Sequence, residues 1–214
     1  LRGIHNITNI IKEDLGKNVP HQVKENLDKL SDRALRMSQM IDGVLAYSRR
    51  ARVREAPTEF AVKELVDDIV ESIRPPNGFR VETSGLPTLH SDRLRMQEVF
   101  QNLISNAVKY HDRPDQGQVR ITGKENGEQY EFVVEDDGPG IPKHEEGRLF
   151  ELFHAPSAKT RPDSTHVGLA IVKKIVESHG GTVVAEPATP HGARFRFTWP
   201  KESADLRRTT TVVN

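Results

Sequence analysis

The segment Gln97-Glu-Val-Phe-Gln-Asn-Leu-Ile-Ser-Asn-Ala-Val-Lys-Tyr110 carries the most informative pattern in the chain. Asn102, Asn106 and Lys109 are spaced by four and three residues, so they share one face if the segment is a helix. Asparagine forms helices poorly, and two of them one turn apart suggest a role. Amide oxygens suit a hard cation and an ammonium suits phosphate, whereas a solvated polar stripe is the simpler alternative. The residues that we expect the other face to bury against a sheet are Val99, Leu103 and Val108.

A second segment, Val133-Val-Glu-Asp-Asp-Gly-Pro-Gly-Ile141, is an apolar strand followed by two acids and a glycine-rich turn. Gly138 and Gly140 allow the backbone to approach a flat ligand closely. The Asp136 carboxylate can accept a hydrogen bond from the amino group of a base. Taken alone, the segment is more typical of an ordinary turn after a strand.

A third segment, Thr165-His-Val-Gly-Leu-Ala-Ile-Val-Lys-Lys-Ile-Val176, predicts an amphipathic helix opened by Gly168. The N–H groups and dipole at such a helix start can hold an anion. The preceding loop over 154–166 carries Lys159 and Arg161, and a basic loop of this length is typical of a lid. A surface loop with ordinary charges is the alternative.

The order of predicted helices and strands after Pro57 predicts an α+β sandwich with helices on one face of a sheet. The predicted helices are 61–74, 94–110 and 167–179, and the predicted strands are 79–82, 119–124, 130–135, 183–186 and 193–199. The Asn126-Gly127 pair between two of these strands predicts a hairpin, so the sheet is at least partly antiparallel.

An apolar seam with spacings of four and three runs through the N-terminal part of the chain. Its members are Val23, Leu27, Leu30, Ala34, Met37, Ile41, Val44 and Ser48 in one helix, and Leu1, Ile4, Thr8, Ile11 and Leu15 in another. A break over 16–20 separates them and predicts a helical hairpin. Two copies forming a dimeric four-helix bundle would cover the seam, and packing onto the rest of the same chain is the alternative.

The composition excludes several classes of function. The 214 residues include no cysteine, which excludes a disulfide scaffold, a thiol nucleophile and a thiolate metal site. The chain has 31 basic residues (lysine and arginine) and 31 acidic residues (aspartate and glutamate). This balance disfavours nucleic-acid binding, despite the arginines over 49–54. No apolar run approaches the roughly 20 residues that span a bilayer, so we expect no membrane contact by this segment. The lack of cysteine suits the reducing cytosol, so we expect a cytoplasmic location. Because 1–5 look like the middle of a helix, we expect a longer protein with its sensor upstream.

Together the segments resemble the HATPase domain of histidine kinases, a member of the Bergerat ATP-binding superfamily. The matching motifs are Asn102–Tyr110 for the N box, Asp136–Ile141 for the first glycine box, Leu149–Phe153 for the F box and Gly168–Glu177 for the end of the second glycine box. The first fifty residues resemble the dimerisation and phosphotransfer hairpin of the same family. The resemblance therefore implies a hairpin domain over 1–55, a Bergerat-type ATP-binding sandwich over 56–200 and a flexible tail over 201–214.

The resemblance also implies roles for single residues toward ATP and Mg²⁺. Asn106 is implied to coordinate the magnesium ion with Asn102 assisting nearby, and Lys109 is implied to contact phosphate. Tyr110 is implied to line the adenine, and Asp136 to bind its amino group. The remaining residues implied to shape the nucleotide pocket are Gly138, Gly140, Ile141, Gly168 and Leu169.

For the N-terminal segment, the resemblance implies a homodimer and a response-regulator receiver domain as partners. The phosphoacceptor histidine of the family aligns shortly before Leu1, so no catalytic residue is expected within the chain. We therefore expect this chain to bind nucleotide without phosphorylating itself. His5 is the alternative phosphoacceptor, but its position matches ordinary helix in the family.

One motif departs from the family pattern. Ser164-Thr-His166 stands where the family usually has Gly-Thr-Gly in the lid. If that backbone needs positive φ, each non-glycine residue costs about 1–2 kcal/mol. The alternative function is therefore a non-catalytic signalling scaffold, a pseudokinase with a degenerate lid. An ATPase or a protein-serine kinase is disfavoured by the dimerising hairpin directly upstream.

Overall fold

The computed structural model describes residues 56–142, 145, 147–151 and 167–201, together with 7, 10, 11, 20, 22–31, 34 and 37 near the N-terminus. These residues fall into two compact units. One unit contains the described N-terminal residues and Val167, and the other contains those of 53–151 and 168–214. The domain boundaries at 55 and 200 and the flexible tail stay predictions.

Within its described residues, the larger unit has three helices and seven strands. The helices are α1 (Val62–Ile73), α2 (Arg93–Lys109) and α3 (Gly168–Ser178). The strands are β1 (Thr58–Ala61), β2 (Arg80–Ser84), β3 (Thr88–Ser91), β4 (Gln118–Asn126), β5 (Gln129–Asp136), β6 (Val183–Pro187) and β7 (Ala193–Pro200).

Five of the strands form one sheet in the order β2-β4-β5-β7-β6, and β1 pairs with β3 separately. The β2–β4 pair is parallel and the other pairs are antiparallel. Helix α2 packs on β4 and β5, α3 packs on β6 and β7, and the two helices contact each other. Helix α1 packs against α2 and β1. The α+β architecture predicted from the sequence is therefore confirmed for this unit.

The predicted helices and strands of this unit are all present, with ends that differ by no more than two residues. Strands β1 and β3 have no sequence signal, because four residues are too few to display an alternation. The β4–β5 hairpin is confirmed, but its turn is Gly127-Glu128 rather than Asn126-Gly127. Gly127 has a φ of 61°, which suits the first central position of a type II′ turn.

An aromatic cluster fixes α2 to the sheet. The Phe100 ring lies edge-on to Phe132 of β5 and Phe197 of β7, with ring centroids 5.5 and 5.4 Å apart. The Phe132 and Phe197 rings stack with their centroids 5.1 Å apart. All three side chains are fully buried, since alternate residues of both strands face the helix layer.

The faces of α2 differ in one respect from the prediction. Val99 and Leu103 are fully buried as expected, but Val108 is only half-buried. Five residues after Leu103 correspond to about 140° of rotation around the helix, so Val108 does not share the direction of Leu103. Asp92 caps the start of the helix, where its carboxylate accepts a hydrogen bond from the Arg95 N–H at 3.1 Å.

In the N-terminal unit, the described residues at 7, 10, 11, 22–31, 34 and 37 are helical. Ala34 of the predicted seam is buried, whereas Leu30 and Met37 are 49% and 53% exposed. The rest of the predicted seam and the break between the helices lie mostly outside the described residues, so the hairpin and its dimeric bundle stay predictions. Among the described residues, no helix has both the length and the apolar character needed to cross a bilayer.

Replacing Phe100 with alanine should lower the free energy of unfolding by about 3–5 kcal/mol, because the aromatic cluster loses a buried ring. Urea-induced unfolding followed by circular dichroism measures the change. Leu94→Ala is the matched control, since Leu94 lies in the same helix and is 46% exposed. The control should change the unfolding free energy by less than about 0.5 kcal/mol, and equal effects of the two substitutions would contradict the prediction.

Candidate functional site

One face of α2 carries the polar residues that the sequence singles out. Asn102, Asn106 and Lys109 are all half-buried, and their spacing puts them on the face that lies opposite Phe100. Tyr110 follows as the C-terminal capping residue and is exposed. The Lys109 Nζ lies 5.9 Å from the centroid of the Tyr110 ring, so the ammonium and the ring occupy the same end of the helix.

The Asn102 amide links α2 to the start of α3. Its Nδ2 donates a hydrogen bond of 2.7 Å to the Glu98 carbonyl, and this contact fixes the orientation of the amide. The Oδ1 then points at Gly168, where an added Cβ would lie only 2.6 Å from it. Gly168 is therefore required for close approach of the two helices. Leu169, the next residue of α3, is half-buried.

Asp136 is the last residue of β5, and its carboxylate is partly tied to the backbone. Its Oδ1 accepts hydrogen bonds from the Gly138 N–H at 3.0 Å and the Ala193 N–H at 3.2 Å. Both of these bonds end on Oδ1, and no hydrogen bond from another described residue to Oδ2 is seen, so the lone pairs of Oδ2 can accept an outside donor. Burial raises the pKa of the Asp136 carboxyl, and the two N–H groups offset part of that rise.

Two glycines bring the loop after β5 against the start of β7. Gly192 has a φ of 110°, and an added Cβ there would lie 1.8 Å from the Asp136 carbonyl oxygen. Gly140 has a φ of 77°, and an added Cβ would lie 2.9 Å from the Gly192 carbonyl oxygen. Ile141 follows in the loop and is half-buried. Sequence reasoning does not single out Gly192 or Ala193, because a lone glycine before a strand is a weak signal.

A second carboxylate, Asp137, is held by a buried histidine that follows α2. The His111 Nδ1 accepts a hydrogen bond of 3.0 Å from the Arg113 N–H, and the Nε2 lies 2.8 Å from the Asp137 Oδ1. The same Oδ1 accepts the Gln118 N–H at 2.6 Å. Burial alone would raise the pKa of Asp137, but the Gln118 N–H and the His111 side chain lower it below its usual value. Sequence reasoning misses His111 as well, since a lone histidine after a helix has no pattern.

These contacts bound the polar face of α2 at two points. At Asn102 the face meets the N-terminus of α3, and just beyond Tyr110 the chain meets the loop that carries Asp136. Asn106 and Lys109 lie between the two points on the same face. The amide and ammonium groups of α2 are therefore bounded by the carboxylate loop after β5 and by the N-terminus of α3.

Part of the predicted site lies outside the described residues. Leu149 and Phe150 of the F-box segment are half-buried in a turn, whereas Phe153 is outside the described residues. Lys159, Arg161 and the departure at Ser164-Thr-His166 are also outside them. The lid and its consequences stay predictions.

Replacing Gly168 with alanine should destabilise the larger unit, because the new Cβ would lie 2.6 Å from the Asn102 Oδ1. The loss should be about 1–3 kcal/mol in chemical denaturation, the usual cost of overpacking. Asn102→Ala in the same chain should recover part of it by removing the colliding oxygen. Gly147→Ala is the control, since an added Cβ there meets no described atom within 4 Å. Additive effects of Gly168→Ala and Asn102→Ala would rule out the collision.

Asp136→Asn and Asp137→Asn should change the pH dependence of stability in opposite directions. The raised pKa of Asp136 means that its ionisation costs folding free energy as the pH rises above the ordinary value of 3.8, so Asp136→Asn should gain stability relative to wild type. The lowered pKa of Asp137 contributes stability above 3.8 that is lost as the pH falls, so Asp137→Asn should lose stability relative to wild type as the pH rises. Denaturation from about pH 3 to 7 tests both, and parallel slopes would contradict the assignment.

Comparison with known proteins gives a family match that covers the site. The family described as histidine kinase-, DNA gyrase B-, and HSP90-like ATPase matches residues 91–203. This range includes all of α2, the loop that carries Asp136 and all of α3.

Similar relatives extend the likeness to most of the chain. Cyanobacterial phytochrome B of Nostoc sp. strain PCC 7120 is 36% identical over 210 residues, which are 92% of this chain and 27% of the relative. Methanogenesis regulatory histidine kinase FilI of Methanothrix harundinacea is 32% identical over 204 residues, which are 92% of this chain and 22% of the relative. The chain therefore spans about a quarter of the length of these curated relatives.

A solved structure supports the same assignment. The crystal structure of histidine kinase ThkA in complex with response regulator protein TrrA is 26% identical, with a TM-score of 0.65 over 94% of this chain and 58% of that chain. The resemblance of the motifs to a histidine kinase HATPase domain is thus confirmed. The chain belongs to the histidine kinase-, DNA gyrase B- and HSP90-like ATPase family, and it contains an ATPase domain of the sensor histidine kinase type.

Proposed function

We propose that residues 56–200 bind Mg-ATP and that the chain is the ATP-binding catalytic part of a two-component sensor histidine kinase. The observation that carries this proposal is the polar face of α2, which lies between the Gly168 end of α3 and the Asp136 loop. A ligand on this face meets the Asp136 carboxylate as an acceptor for a base. It meets the Lys109 ammonium and the N–H groups at the start of α3 as donors for phosphate. Nucleoside triphosphates combine these two kinds of group.

For the base, the Asp136 carboxylate is the recognising group. Its Oδ1 is already held by two backbone N–H groups, so its Oδ2 accepts the adenine amino group without reorienting. The exposed Tyr110 ring and the half-buried Ile141 are proposed to cover the faces of the base. Gly138 and Gly140 keep the backbone close to it.

For the phosphates, the polar face of α2 supplies the charge and the oxygen ligand. Lys109 contacts phosphate oxygens, and the N–H groups at Gly168 and Leu169 hold an anion at the start of α3. Asn106 presents an amide oxygen of the kind that Mg²⁺ accepts, and Asn102 supports it from the preceding turn. When bound with the nucleotide, the metal ion neutralises charge on the phosphates.

The reaction that follows from this assignment is phosphoryl transfer to histidine. An imidazole nitrogen of a phosphoacceptor histidine attacks the γ-phosphorus in line, the bond to the bridging oxygen breaks, and ADP leaves. The phosphoryl group then passes from histidine to an aspartate of a response-regulator receiver domain. Support for this partner is at the family level, since the similar ThkA structure is a complex with a response regulator protein. The phosphoacceptor is proposed to lie shortly upstream of Leu1.

The N-terminal residues are proposed to form the dimerisation hairpin of the kinase. Exposed apolar residues of the predicted seam, such as Leu30 and Met37, support a second copy as the partner that covers them. The paired hairpins would form a four-helix bundle. A cytoplasmic location, with the sensor upstream, is proposed together with this arrangement.

Calorimetric titration of the chain with ATP, in magnesium and in EDTA, tests the proposal. Asp136→Ala should weaken ATP binding by about 1–3 kcal/mol, because the adenine amino group loses its acceptor. Asn106→Ala should reduce the gain in affinity that magnesium gives, while leaving binding in EDTA nearly unchanged. Asn126→Ala is the control, since Asn126 lies at the far end of β4 from Asp137.

Two outcomes would reject the proposal. If Asn106→Ala and Asp136→Ala both bind ATP with wild-type affinity, the assignment of Asn106 and Asp136 is wrong. Failure of the wild-type chain to bind ATP would favour the signalling scaffold instead. For the transfer step, the protein extended to include the upstream histidine should form acid-labile phosphate from labelled ATP, and Asn106→Ala should abolish it.

A further inference from the structure

The contact between His111 and Asp137 joins the end of α2 to the loop that carries Asp136. We propose that His111 and Asp137 are positioning residues, which hold the Asp136 carboxylate at a set distance from Asn106 and Lys109. They thereby determine how strongly the site prefers adenine over other bases. This inference rests on the proposed function, because it concerns the same nucleotide site.

The direction of the hydrogen bonds makes the contact specific. The Arg113 N–H donates to the His111 Nδ1 at 3.0 Å, so that nitrogen is the acceptor and the ring hydrogen lies on Nε2. The Nε2–H then donates to the Asp137 Oδ1 at 2.8 Å. The Gln118 N–H donates to the same oxygen at 2.6 Å, which ties Asp137 to the start of β4 as well. The donor and the acceptor of each of these hydrogen bonds are thus defined.

Packing leaves the His111 ring little room to move. The ring is fully buried, and the edge of the Phe79 ring meets it with centroids 5.4 Å apart. An added Cβ at Gly117 would lie 2.5 Å from the Phe79 ring and 2.9 Å from the His111 Cε1. On the outer side, the Arg113 Nη2 donates to the Asp137 carbonyl oxygen at 2.9 Å. The His111 ring is therefore packed against Phe79, and Arg113 contacts Asp137 from the solvent side.

Gly138 connects the His111–Asp137 contact to Asp136. Its N–H donates to the Asp136 Oδ1 at 3.0 Å. A Cβ built on Gly138 would lie 3.0 Å from that oxygen and 3.3 Å from the His111 Cδ2. The residue after Asp137 is thus packed between the Asp136 carboxylate and the His111 ring. When the His111–Asp137 bond is lost, the Gly138 N–H and the carboxylate that it orients are free to shift relative to α2.

The test compares the ratio of ATP to GTP affinity, measured by calorimetry in magnesium. GTP has a carbonyl where ATP has the amino group that Asp136 is proposed to accept, so the ratio reports the position of this carboxylate. His111→Phe keeps a ring against Phe79 but removes the donor to Asp137. We expect the ATP-to-GTP ratio to fall about tenfold in His111→Phe and in Asp137→Ala.

Conservative variants and a control separate positioning from loss of fold. His111→Gln keeps an N–H donor and Asp137→Asn keeps an oxygen acceptor, so both should retain most of the ratio. His179→Phe replaces another buried histidine, which stacks on Trp199 beyond the far end of α3 from Gly168. A variant that is merely less stable loses apparent affinity for both nucleotides equally, and the ratio does not change. The control should therefore keep the wild-type ratio.

The remaining outcomes are distinguishable. A wild-type ratio retained in His111→Phe and Asp137→Ala would overturn the positioning role while leaving the proposed function intact. A wild-type chain that binds neither nucleotide would overturn the proposed function and this inference with it. A wild-type chain that binds both equally would overturn the adenine role of Asp136 and this inference. The double variant should be no worse than either single one, because both remove the same bond. A fully additive loss would argue against a shared bond.

Discussion

The packing of α2 on the sheet is the constraint on which the fold and the candidate site both depend. Seven residues of this helix are buried, and side chains such as Phe100 and Leu103 each stabilise the folded state by roughly 1.5–3 kcal/mol. A helix turns by a fixed angle per residue, so burying one face also fixes where the other face points. The positions of Asn102 and Asn106 are therefore consequences of the core. Stability and the geometry of the polar face come from the same contacts.

The two neighbouring acids at the end of β5 have opposite environments. Burial raises the pKa of Asp136, and within the described part of the chain backbone N–H groups donate to one of its two oxygens. Asp137 faces a backbone N–H and the His111 ring, which together lower its pKa. Adjacent carboxylates with diverging pKa values indicate different tasks. Asp136 has an oxygen that can accept a ligand, whereas Asp137 is bound to His111 and to the Gln118 N–H.

Around these acids, segments distant in the sequence meet through backbone and short side chains. Gly168 meets the Asn102 amide, and both Asp136 and Gly140 approach the backbone of Gly192. Contacts of this kind have little room to adjust, since protein interiors are close-packed. The site therefore takes its rigidity mainly from the backbone of the sheet and of the two helices.

Local sequence patterns determine much of this protein. The spacing in α2 predicts the polar face of Asn102, Asn106 and Lys109, and alternation predicts the main strands, because helix and strand periods are visible within a few residues. Periodicity also limits the prediction, as the half-buried Val108 and the one-residue shift of the Gly127 turn illustrate. A family resemblance adds the Asp136 loop and Gly168 to the site.

Other features are decided only by the tertiary structure. The His111–Asp137 bond joins residues 26 apart, and the Ala193 N–H reaches the Asp136 carboxylate from 57 residues away. No local pattern marks His111 or Ala193 as a partner of these acids, because each pair is brought together by the strand order and by the packing of α2. The sequence determines which chemical groups are present, and the pairing of strands determines which of them meet.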